Sequence, residues 1–121
     1  MDESNDKLIE AFKNPKNVGL LRGANAIGRA VDKERSDLLK IYLKIDNKKI
    51  IEARFKAFGS SSLIAISSIA TTMIIGKPID ILDNFDISLI ENEVGEIAPH
   101  SRYCLNMLCE ALANAKENYH K

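Results

Sequence analysis

The chain has 121 residues, 45% hydrophobic and 28% charged, which is enough for one core and too short for two domains, so residues 1–121 read as a single domain. Its 17 Lys and Arg balance 17 Asp and Glu, leaving no overall basic field to hold nucleic acid or an anionic membrane. An acidic N-terminus (Asp2, Glu3, Asp6) is unlike a signal or transit peptide, and the apolar run at 63–75 is too short and too rich in Ser and Thr to span a bilayer.

Residues 4–13 read as a short helix, with Ser4 as cap and Leu8, Ile9 and Phe12 on one face. It stops before Pro15, in a turn-rich loop Asn14-Pro15-Lys16-Asn17-Val18-Gly19. Residues 23–32 contain a weak strand whose apolar face is Ile27 and Val31, and the polar stretch 32–37 is a loop or hairpin turn. The next strand is strong. Leu39, Ile41, Leu43 and Ile45 line one side, and Lys40, Tyr42 and Lys44 the other. After a turn at 46–49, Ile51, Ala53, Phe55 and Ala57 are expected to continue the core face, making an antiparallel hairpin with one wet side.

At Phe58-Gly59-Ser60 the period changes from two to helical spacing, and Ser60 is placed to cap a buried helix over 60–75 that Gly76 and Pro78 close. Its polar stripe is narrow: Ser60, Ser67, Ser68, Thr71 and Thr72. Two short helices follow at 78–84 and 86–91, then a loop over 91–99. The last helix is capped by Ser101 and carries Cys104, Met107, Leu108, Ala111, Leu112 and Ala115 at helical spacing. Strands followed by helices indicate an α+β layer: a small three-stranded antiparallel sheet with helices packed on one face.

Three element ends bear reactive residue types: Arg35-Ser36-Asp37 before the strong strand, Ser60 at its corner, and Cys104 in the first turn of the last helix. A thiol at a helix start is expected to be acidified, with help from Arg102; the alternative is a cysteine packed inward beside Met107 and Leu108. Cys109, five residues on and pointing to another face, cannot bridge to it without breaking the helix, so a reduced, cytoplasmic protein is expected. Cys109 itself reads as inert packing. A Ser-His-Asp hydrolase built from Ser60, His100 and Asp37 lacks the Gly-x-Ser-x-Gly elbow. The Gly59-Ser60-Ser61-Ser62 corner lacks the Lys-Ser/Thr pair of a phosphate loop. His120 reads as a solvated terminal residue.

The order of these segments resembles the IscU/NifU N-terminal family, the scaffolds of iron–sulfur cluster assembly, over residues 8–119. Asn14-Pro15-Lys16-Asn17-Val18-Gly19 looks like the family's N-P-R-N-V-G loop, and Ala53-Arg54-Phe55-Lys56-Ala57-Phe58-Gly59 is similar to its A-R-F-K-T-Y-G strand. The serine-rich helix and Gly76-Lys77-Pro78 match as well. The resemblance implies a [2Fe–2S] cluster, or iron or zinc, on three cysteines helped by an aspartate and a histidine. The family's A-C-G-D falls on Glu34-Arg35-Ser36-Asp37, its Y-G-C-G-S on Phe58-Gly59-Ser60-Ser61-Ser62, and its H-C on Tyr103-Cys104. Its L-P-P-V-K chaperone segment falls on Ile97-Ala98-Pro99-His100-Ser101 and keeps only the second proline.

Arg35, Ser60 and Tyr103 thus occupy lost ligand positions, while Asp37 and Cys104 remain, with His100 one helical turn before Cys104. Cluster iron prefers thiolates or imidazole, and a guanidinium cannot ligate it. The expected function is therefore a non-enzymatic, degenerate scaffold that binds a cysteine desulfurase or another scaffold subunit through the old surface. The alternatives are a divergent metal carrier using Asp37, Cys104 and His100, or a second protomer, and a plain interaction domain.

Overall fold

A computed structural model of the chain describes residues 6–120. Helix α1 (Asp6–Lys13) is followed by strands β1 (Ala26–Asp32), β2 (Asp37–Asp46) and β3 (Lys49–Phe58), then by helices α2 (Ser61–Ile74), α3 (Ser88–Val94) and α4 (Arg102–Glu117). The proposed cap Ser4 lies outside the described residues. The strands form one antiparallel sheet in the order β1-β2-β3, an α+β arrangement with α2 and α4 against one face. The β2–β3 hairpin closes through Asn47 and Lys48, both at positive φ (51° and 62°), the primed turn that matches strand twist.

Alternation along β2 places Leu39, Ile41, Leu43 and Ile45 in the core, as their spacing requires. On β3 the alternation breaks. A register shift at Lys44/Ile45 pairs Ile45 with Ile50 and Lys44 with Glu52, so Ile51 is the extra residue of a bulge. Ile50 is buried and Ile51 exposed, correcting the expected core face by one position.

The first strand is corrected more deeply. Ile27 and Val31 face outward, and Ala26, Gly28 and Ala30 form the inner face. Helix α4 lies directly on this strand: a Cβ on Gly28 would sit 2.0 Å from the Ala111 carbonyl oxygen and 2.3 Å from the Ala115 nitrogen. Close helix–strand approach selects small residues, so the hydrophobic side chains are turned to the other face. The same helix covers the strand's free edge. Arg29 N donates to Asn114 Oδ1 (3.0 Å), and Asn118 Nδ2 donates to the Ile27 carbonyl (2.9 Å), satisfying groups that an open edge would leave to a neighbour.

In α1, Leu8 is buried and Ala11 half-buried, while Phe12 is turned toward solvent. Within the polar stripe of α2, Ser68, Thr71 and Thr72 serve as an anchor. Ser68 Oγ accepts from Lys16 N at 2.8 Å, and Asn17 Nδ2 donates to Thr71 Oγ1 and Thr72 Oγ1, both at 3.1 Å. The loop preceding the sheet is thereby fixed to the central helix. The expected helices at 78–84 and 86–91 are a single 3₁₀ turn, Ile79–Leu82, and the short α3.

Candidate functional site

Three chain segments meet at one end of the sheet: the turn between β1 and β2, the corner between β3 and α2, and the first turn of α4. Gly59 makes the corner possible. Its φ is +128°, and a Cβ there would fall 2.1 Å from Asp37 Oδ1, so only glycine admits the carboxylate beside it. Ser60 then caps α2, its Oγ accepting from Leu63 N at 3.2 Å, as the sequence indicates. Ser101 does not cap α4 through its side chain; its Oγ instead meets Ser62 Oγ at 3.1 Å, joining the two helix starts.

Into this junction point Asp37, Ser60, Tyr103 and Cys104, with Arg35 across the outside. Tyr103 Oη donates to Asp37 Oδ2 at 2.6 Å, and Asp37 is only 3% exposed. Ser60 Oγ lies 3.4 Å from Cys104 Sγ. The Arg35 guanidinium stands 4.1 Å from the centroid of the Tyr103 ring, held there by Asp32, whose Oδ2 accepts from its Nη1 at 2.9 Å and whose Oδ1 accepts from the Arg35 backbone N–H at 3.1 Å. Arg35 therefore lies over the tyrosine as a cover, and the tyrosine occupies the carboxylate.

The electrostatics run against a reactive thiol. Cys104 is 0% exposed, and burial pushes its thiol up; the Ser60 and Tyr103 hydroxyls, and more weakly Arg35, oppose this, while the Asp37 charge adds to it. The expected acidification by the helix start and Arg102 is overturned, because Arg102 pairs with Glu91 at 3.3 Å and the cysteine packs inward. Tyr103 is pushed up to about 12, first by desolvation and then by the bond to Asp37, so it is a firm donor at neutral pH. Cys109 is half-buried in mid-helix and its thiol is also raised by burial.

Of the residues singled out from sequence, Arg35, Asp37, Ser60, Tyr103 and Cys104 are brought together. His100 is exposed on the 3₁₀ turn Pro99–Ser101, and no hydrogen bond or ion pair joins it to the others among the described residues. Among those residues no three His, Cys, Asp or Glu side chains are grouped to hold a metal ion. Sequence reasoning missed the Tyr103–Asp37 bond. The partners lie 66 residues apart, and no local pattern announces such a pairing.

Fold and junction together define a small sheet-and-helix scaffold whose two loops and one helix start converge on a shared point. The family described as NifU-like N terminal domain matches residues 3–121, and the chain belongs to it. It is 37% identical over 119 residues to the iron–sulfur cluster assembly scaffold protein IscU of Aquifex aeolicus, covering 97% of this chain and 76% of the relative. A scaffold protein of the same kind from Archaeoglobus fulgidus is 32% identical over 114 residues, covering 94% of this chain and 74% of the relative. A crystal structure described as that of a "putative iron-sulfur cluster assembly scaffold protein for SUF system" from Fervidobacterium islandicum AW-1 superposes with a TM-score of 0.73 at 19% identity, covering 96% of both chains. The expected family and fold are thus borne out.

Proposed function

We propose that this chain is an iron–sulfur assembly scaffold-like protein that has given up cluster building and serves as a non-catalytic, partner-binding member of the pathway. One observation carries the reading. The family's ligand positions still converge, but they hold a guanidinium, a hydroxyl, a phenol, one buried thiol and a carboxylate already bound by the phenol. That donor set does not fit an iron–sulfur cluster, which takes thiolates or imidazoles. The Arg35–Tyr103–Asp37 chain links the same elements that a metal would tie together, so the junction is held shut by side chains of its own. A family surface kept in shape without a cluster suits docking to a cysteine desulfurase or to a second scaffold subunit.

The test is anaerobic reconstitution of the purified protein with ferrous iron and sulfide, followed by co-elution with a cysteine desulfurase. The expected result is no visible charge-transfer absorbance and no retained iron, with co-elution preserved. A parallel variant, Arg35→Cys with Ser60→Cys and Tyr103→His, is expected to gain absorbance. A full cluster on the isolated wild-type protomer would overturn the proposal, as would failure to co-elute with any desulfurase or scaffold subunit.

A further inference from the structure

The helix-free face of the sheet can be read off the strand register. Arg29 stands opposite Lys40, and Lys40 opposite Lys56, so one cross-strand row consists of three cations. The neighbouring row, toward the Gly59 corner, is Val31, Leu38 and Phe58. On the other side lie Ile27, Tyr42 and Arg54, and then Lys44 opposite Glu52. Arg29, Lys40, Lys44, Arg54 and Lys56 thus share this face with Glu52 and, at the hairpin end of β2, Asp46, in a chain whose net charge is zero. None of the five is in an ion pair among the described residues.

Like charges directly opposite on a sheet cost stability. Here the cost is incurred twice in one row, beside an apolar row in which Phe58 is 60% exposed. We infer that this face docks an acidic protein segment. Its carboxylates would lie along Arg29, Lys40 and Lys56, and an apolar side chain from it would cover Val31, Leu38 and Phe58. Charge complementarity selects the occupant. A single-stranded nucleic acid would need rings to stack on, but Tyr42 is 5% exposed with Lys40 Nζ 5.4 Å from its centroid, leaving Phe58 alone. A bilayer would need apolar groups reaching below the phosphates, whereas Leu38, in the middle of the apolar row, is half-buried. The surface shares no residue with the Arg35–Tyr103 junction, so it stands or falls separately from the reading above.

The probe is a labelled peptide of about a dozen residues alternating Glu and Leu, titrated into the full chain and followed by anisotropy and amide chemical shifts. An all-Glu peptide, an oligothymidylate of equal length and phosphatidylserine vesicles are run beside it. Saturable binding is expected, tighter than for the all-Glu peptide, with shifts centred on Arg29, Lys40, Lys56 and Phe58. Lys40→Glu should weaken it by about tenfold or more. The same substitution places a carboxylate between Arg29 and Lys56, so the thermal midpoint should rise by about 2–5 °C, and weaker binding cannot then be blamed on unfolding. The inference is overturned by shifts elsewhere, by tighter binding of the oligothymidylate or vesicles, or by unchanged affinity in Lys40→Glu.

Discussion

Replacing Tyr103 with Phe deletes one oxygen and keeps the ring. The Arg35 guanidinium, 4.1 Å from the ring centroid, keeps its platform, and no cavity larger than a hydroxyl is opened. What is lost is the bond from Tyr103 Oη to Asp37 Oδ2 at 2.6 Å, leaving a carboxylate that is 3% exposed without its phenol donor. Hydrogen bonds to charged groups contribute about 1.5–3 kcal/mol, and an orphaned buried carboxylate realises that range fully, so a loss of about 2 kcal/mol is expected. In a chain of this size that is roughly 5–10 °C in the thermal midpoint. Urea unfolding at pH 7 measures it, together with Asp37→Asn and the double variant. Because the buried charge disappears with Asp37→Asn, the double variant should cost about 1 kcal/mol or more less than the sum of the single ones. A loss below about 0.5 kcal/mol for Tyr103→Phe, or strict additivity in the double variant, would refute the idea that this pair holds the junction. The pH dependence has a definite sign. The folded-state value of Tyr103, about 12, lies above its ordinary 10. Its contribution is therefore fully present below pH 10 and is lost as pH rises toward 12, so the advantage of wild type over Tyr103→Phe should shrink across that window.

Two further outcomes are expected. Gly28→Ala should cost about 3 kcal/mol or more in urea unfolding, because the new Cβ meets the backbone of Ala111 and Ala115 at 2.0 and 2.3 Å and α4 must lift from the sheet; a near-neutral result would contradict the close packing. Cys104 should react slowly with iodoacetamide at pH 8, its thiol being buried and raised, and Arg35→Ala combined with Tyr103→Ala should speed it by about tenfold or more in a mass-spectrometric time course, whereas equal rates would deny that these two side chains shield it.

The family frame was legible because its signals are local. Alternation along 39–45, the glycine–serine corner at 59–60 and the helical repeat from Cys104 to Ala115 each follow from the geometry of a single element. Arg35, Asp37, Ser60 and Cys104 could be singled out for the same reason, as they lie at element ends, whereas Tyr103 was singled out only through the family resemblance and His100 lies apart from the junction. Two things were not legible. The outward turn of Ile27 and Val31 depends on α4 pressing against the small inner face of β1, an effect no feature of residues 23–32 reveals. The Ile50/Ile51 inversion depends on how β3 registers against β2.

The amino-acid order alone therefore settled where the sheet, the corner at 59–60, the central helix and the last helix fall, since periodicity is carried by neighbours along the chain, while the missing ligand types were read through the family resemblance. Whether Cys104 is a reactive thiol or a packed one was settled in space. Cys104 is fully buried, and burial raises its thiol while the Ser60 and Tyr103 hydroxyls oppose that rise, an environment assembled from segments as far apart in the chain as Asp37 and Tyr103.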